Sequence, residues 1–128
     1  MKLLAREPGF DVAVAVLGSA HRLFMASVGY VETRSALGAL VREGRLRGTR
    51  GDRARLELER IWADLNVVQL DDRLVRMSGD TAVLSRLRAG DAIHLASALV
   101  LGDPDLVMAT WDQDLGRAAR EVGLAIAP

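Results

Sequence analysis

The chain has 128 residues, half of them hydrophobic, with 17 basic and 17 acidic side chains, two histidines and no cysteine. This length suits one domain with a sizeable core, and the balanced charge supplies no overall field for a polyanion, so any nucleic-acid contact must use a local patch. The lack of cysteine excludes disulfides and thiolate metal sites, fits a reducing cytoplasm and, with only His21 and His94 as imidazole donors, argues against structural zinc.

In chain order, Lys2 to Arg6 reads as a helical turn stopped at Glu7-Pro8-Gly9. Phe10 to Ala20 follows as a buried helix. Its run from Val12 resembles a signal-peptide core, but Arg6, Glu7 and Asp11 stand before it instead of a purely basic segment. No apolar run reaches the roughly 18 residues needed to span a bilayer, so no membrane partner is expected. Arg22 to Val28 reads as a short strand. Val31, Ala36, Leu37, Leu40 and Val41 then fit a helical face that ends at Gly44.

Gly48 to Gly51 forms a basic turn, and Leu56, Leu58, Ile61, Trp62 and Leu65 predict an amphipathic helix beyond it. Asn66 to Leu70 is a strand. Asp71 and Asp72 can cap a helix through Leu74, Val75, Met77, Ala82, Val83 and Leu84, with an interruption near Gly79. Asp91 begins an apolar helix to Leu101, and Gly102-Asp103-Pro104 turns the chain. Leu106 to Ala109 is a strand, Leu115 to Val122 a helix, and Leu124 to Ala127 a terminal strand. Strands alternating with helices predict an α/β fold with a parallel sheet and right-handed crossovers. No repeat, linker or phosphate loop is present.

Asp91 and Asp112 sit at element junctions, a placement that can gather acids at one end of a parallel sheet and hold hard cations. Each also has a structural explanation as a helix cap, and Asp114 suits the positive end of a helix dipole. Thr110 could support a carboxylate or metal-bound water, although threonine is ordinary in a strand. Glu32 stands early in an apolar helix, where a solvated face competes with a functional role. His94 is one turn after Asp91 and reads as a core histidine rather than a base. Arg34, Arg45, Arg47, Arg50, Arg53 and Arg55 could contact phosphate, against the alternative of a solvated helix face. With aromatics at 4%, Trp62 and Trp111 read as packing groups.

Leu87 to Leu99 (LRAGDAIHLASAL), Val107 to Pro128 (VMATWDQDLGRAAREVGLAIAP) and, more weakly, Ser27 to Leu37 (SVGYVETRSAL) resemble the PIN-domain ribonucleases, specifically toxins of VapBC-type toxin–antitoxin systems. The resemblance covers almost the whole chain. It implies one PIN-like domain over residues 1–128, three-layered α/β/α around a parallel sheet. Glu32, Asp91 and Asp112 would be the catalytic acids and, with Asp114, the ligands of Mg²⁺ or Mn²⁺, supported by Thr110 and Ser27. The implied reaction is metal-dependent endonucleolytic hydrolysis of RNA with water as nucleophile. The implied partners are RNA and a cognate VapB-like antitoxin, in a homodimer or a toxin–antitoxin hetero-oligomer in the cytoplasm.

That family begins with a short central strand ending in an aspartate, whereas MKLLAREPG starts at a later KLLxxEPG-like segment. The resemblance therefore implies an N-terminally incomplete domain without the first strand and first acid, a role that Asp11 does not fill. Alternatives are a degenerate domain that binds an antitoxin or RNA without cutting, and an unrelated α/β interaction domain whose acids are helix caps.

Overall fold

Gly9 adopts a left-handed conformation, φ 92°, and its carbonyl accepts the Ala13 N–H at 3.0 Å, which starts helix α1 (Phe10–Ser19). The computed structural model describes residues 9–128, so the turn expected over Lys2 to Arg6 and the break at Pro8 lie outside the described residues. The chain forms two units, Met1–Val67 and Val68–Pro128. Among the side chains of α1 only Ala13 is buried, while Val12 and Val14 are 45% and 46% exposed, so the helix is present but the expected burial is not. An apolar run without polar spacing specifies no inward face.

Strand β1 (Phe24–Ala26) pairs with β2 (Asn66–Val68), in which the first unit ends. Asn66 reinforces the entry to β2, because its backbone N–H and its Nδ2 both donate to the Leu23 carbonyl, at 2.9 and 3.0 Å. Helices α2 (Val28–Arg42) and α3 (Thr49–Ala63) pack through Leu37, Ala54 and Leu58, with Tyr30 and Leu46 against them. Their contacts run in opposite directions along the chain, which makes an antiparallel hairpin. At one end a Cβ on Gly51 would lie 3.0 Å from Val41 Cγ2, a tight approach that a larger residue meets only if the Val41 side chain shifts by a few tenths of an ångström. Towards the other, Tyr30 packs on Trp62 with ring centroids 5.1 Å apart and donates its hydroxyl to Glu59 Oε1 at 2.9 Å. That hydrogen bond to a carboxylate holds the Tyr30 hydroxyl above its usual pKa. The expected glycine-rich turn is shorter than Gly48 to Gly51, since α3 begins at Thr49, and Leu56 is 55% exposed rather than part of the core.

In the second unit, Asp71 Oδ1 accepts the Leu74 N–H at 2.8 Å and caps α4 (Asp72–Ser85). The helix continues through Gly79 without interruption. Its inward stripe is Leu74, Ser78 and Thr81, spaced by four and three residues, whereas Val75, Val83 and Leu84 are 51%, 79% and 83% exposed. The two buried hydroxyls are satisfied within the helix. Ser78 Oγ donates to the Leu74 carbonyl at 2.7 Å, and Thr81 Oγ1 to that of Met77 at 2.8 Å.

Helix α5 (Ala89–Leu101) packs on α4 and buries Ala92, Leu95, Ala96, Ser97 and Ala98, with Leu95 fully buried. Strand β3 (Val107–Ala109) lies parallel to β4 (Ala125–Ala127), with Met108 opposite Ile126, and α6 (Gln113–Glu121) connects them. Leu87, Ala92, Leu95, Leu115, Ala118 and Ala119 form the core of this unit. The described strands thus form two two-stranded sheets within an α/β architecture.

Unlike Ser78 and Thr81, the buried Ser97 Oγ has no hydrogen-bond partner among the described residues. An unsatisfied buried hydroxyl costs about 1–3 kcal/mol. Ser97→Ala is therefore expected to stabilise the protein by about 1 kcal/mol, read as a melting temperature raised by roughly 3–5 °C in a thermal scan. A lowered melting temperature would show that the hydroxyl is satisfied in solution.

Candidate functional site

The segment after β3 is organised by its own side chains. Asp112 Oδ1 accepts the Leu115 N–H at 2.9 Å and caps α6, while the Asp112 N–H donates to Thr110 Oγ1 at 3.1 Å. Thr110 is in turn held by its own N–H, which donates to the Ala127 carbonyl at 2.9 Å and extends the β3–β4 pairing. The Thr110 hydroxyl thus fixes the backbone that carries Asp112. The spacing T-x-D was readable in the chain, but this support for Asp112 through its backbone N–H is visible only in the structure.

Capping occupies one oxygen of Asp112, and Oδ2 has no hydrogen-bond partner among the described residues. A carboxylate has about four lone-pair sites, so a cap leaves it able to bind a cation. Asp112 is exposed, as is Asp114 two residues later in the first turn of the same helix. Asp114 Oδ1 lies 3.9 Å from Arg117 Nη2, with 81% of its side chain exposed, and Arg117 is engaged more closely by Glu121 at 3.1 Å. Such an exposed pair binds Asp114 weakly and leaves it available.

Asp91 differs from Asp112. Helix α5 starts two residues before it, at Ala89, and its N-cap position is Arg88, with extended backbone and no side-chain cap. The capping role considered for Asp91 is therefore not the one it has. It occupies the first helical turn, partly buried, where a negative charge is favoured by the helix dipole. His94 is partly buried one turn later on α5.

Ser27 and Glu32 belong to the first unit. Ser27 is the N-cap residue of α2 without a side-chain capping bond, and Glu32 is exposed in that helix. The second unit therefore carries Asp91, Thr110, Asp112 and Asp114, and the first carries Ser27 and Glu32. Among the described residues no group of three or more acidic or imidazole side chains is gathered closely enough to hold a metal ion. The donor chemistry nevertheless suits a hard cation, because every candidate ligand is a carboxylate or hydroxyl oxygen. Mg²⁺ commonly binds through one or two carboxylates, completing its shell with water and substrate phosphate. Among the described residues no helix is long and apolar enough to cross a membrane.

Residues 1–121 match the family model described as PIN domain. Ribonuclease VapC45 of Mycobacterium tuberculosis (strain CDC 1551 / Oshkosh) is 36% identical over 128 residues, covering all of this chain and 89% of the relative. Ribonuclease VapC49 of the H37Rv strain has the same identity and coverage. Ribonuclease VapC46 of that strain is 29% identical over 126 residues, 98% of this chain and 88% of the relative.

Proposed function

From the premise that the chain belongs to the PIN-domain family and is a VapC-type member of it, we propose that it is a divalent-metal-dependent endoribonuclease, the toxin of a VapBC-type pair. The observation that carries this reading is similarity to named ribonucleases along the entire chain. Asp91, Asp112 and Asp114 of the second unit would hold Mg²⁺ or Mn²⁺, and Glu32 is the further acid that the family resemblance implies. The ion would supply charge stabilisation at the phosphate and a more acidic bound water. Thr110 keeps the backbone of Asp112 in place, and the cap to Leu115 orients its carboxylate so that Oδ2 remains for the cation. In the reaction the water oxygen bonds to phosphorus, the bond from phosphorus to the 3′ oxygen breaks, and that oxygen takes a proton. The products carry a 5′ phosphate and a 3′ hydroxyl. A VapB-like antitoxin, a homodimer or hetero-oligomer, and a cytoplasmic location complete the reading.

The test is to incubate the purified chain with structured RNAs in Mg²⁺ or Mn²⁺ and in EDTA, and to map the product ends. Cleavage that requires the metal and leaves 5′ phosphates is the expected result. Cleavage that persists in EDTA would overturn the metal role. The second reading is a domain that binds its antitoxin or RNA without cutting. Partner binding with neither metal heat in calorimetry nor cleavage would establish that alternative.

A further inference from the structure

Residues 42 to 55 contain six arginines and two acids, in a chain whose total charges cancel. All six lie in the first unit where the helical hairpin turns. Arg42 ends α2, Arg45 and Arg47 stand in the connection, and Arg50, Arg53 and Arg55 follow in the first turns of α3, every one of them exposed.

The turn that carries them is ordered by its own bonds. Gly44 takes a left-handed φ of 69°, and the N–H groups of Arg45 and Leu46 both donate to the Leu40 carbonyl, at 2.9 and 3.1 Å. Leu46 packs against the Leu37, Ala54 and Leu58 cluster, and Arg47 Nε donates to the Gly44 carbonyl at 2.8 Å. Leu46 thus anchors the connection between two exposed arginines.

Two acids, Glu43 and Asp52, stand among the six arginines. Arg45 comes no nearer than 3.9 Å to Glu43, with 61% and 59% of the two side chains exposed, a pair of small energetic weight. Among the described residues the side chains of Arg42, Arg50 and Arg53 make no hydrogen bond or ion pair. All but one of the 17 basic residues in the chain are arginine, whose planar fork meets phosphate oxygens in pairs. Tyr30 and Trp62 are packed on each other towards the other end of the hairpin, away from the turn. This chemistry fits phosphates rather than bases.

We propose that the α2–α3 turn, from Arg42 to Arg53, is a surface that holds the phosphate backbone of RNA. The choice of RNA as occupant rests on the ribonuclease reading above; the anionic character of the occupant rests on the arginines. Contacts of this kind are tolerant of sequence and position the strand rather than select it.

The test measures binding of a labelled single-stranded oligouridylate to the full chain in EDTA over a range of salt concentrations. The triple variant Arg45→Gln, Arg50→Gln, Arg53→Gln is expected to bind about tenfold more weakly, with a salt slope smaller by about 2. The corresponding lysine variant should keep the slope, because each phosphate still meets one positive charge. A charge-matched control, Arg73→Gln, Arg76→Gln, Arg120→Gln, should bind as the parent does. Thermal scans confirm that each variant folds. The proposal is overturned by no binding of the parent at low salt, an unchanged slope in the first variant, or an equal loss in the control. Displacement of the RNA by polyglutamate but not by polyphosphate would instead assign the surface to an acidic protein. Binding through these arginines without cleavage leaves the surface standing and sinks the nuclease reading. Cleavage by a chain whose RNA binding ignores them does the reverse.

Discussion

Asp112→Asn is expected to lower metal-dependent RNA cleavage by about 10³-fold, the consequence of losing several kcal/mol of metal-mediated stabilisation, while leaving the melting temperature unchanged. Asparagine caps helices as well as aspartate does, so the Leu115 N–H keeps its acceptor and only the negative charge is removed. Asp112→Ala removes both and should in addition cost about 1 kcal/mol of stability. Asp91→Asn should show the same loss of cleavage, and it disturbs no cap because Asp91 does not occupy the capping position of α5. Cleavage rates and thermal scans on the same preparations separate the two roles. Full activity in Asp112→Asn would reduce Asp112 to a helix cap and remove it from the proposed site.

Leu95→Ala is expected to be the most damaging single change to stability, at about 3–4 kcal/mol. Leu95 is fully buried between Leu87, Ala92, Leu115, Ala118 and Ala119, and the small alanines around it cannot expand to fill the void. The alanine variant should therefore unfold at a much lower urea midpoint, followed by circular dichroism. Leu84→Ser provides the contrast. That side chain is 83% exposed, and surface replacements of this kind usually change stability by about 0.5 kcal/mol or less. Similar midpoints for the two variants would show that the core of the second unit is not centred on Leu95.

The acids illustrate which features a sequence reveals. For Asp112 the pattern of a strand followed by an aspartate three residues before Leu115 predicts a cap, and the hydrogen bond is present. For Asp91 the same rule fails, because α5 begins earlier, at Ala89, and Arg88 takes the boundary position. Helix ends shift by a residue or two with the packing around them, so a cap is readable only where the capping bond itself defines the start. Glu32, Asp91, Asp112 and Asp114 stand as candidates through the family resemblance of their motifs. That Glu32 and Ser27 lie in a different unit from the other four candidate residues was not legible in the sequence.

The amino-acid sequence by itself determined the order and type of nearly every described element, the caps at Asp71 and Asp112, and the left-handed turns at Gly44 and Gly102. These depend on interactions spanning a few residues, which local composition dictates. Only the tertiary structure decided which helical faces turn inward, leaving Leu56, Val83 and Leu84 exposed, and which residues meet across β3 and β4. It also decided that Gly51 lies close against Val41 and that Leu46 anchors the arginine-bearing turn. Each of those outcomes requires a partner from another element, and hydrophobicity alone does not say which apolar side chain finds one.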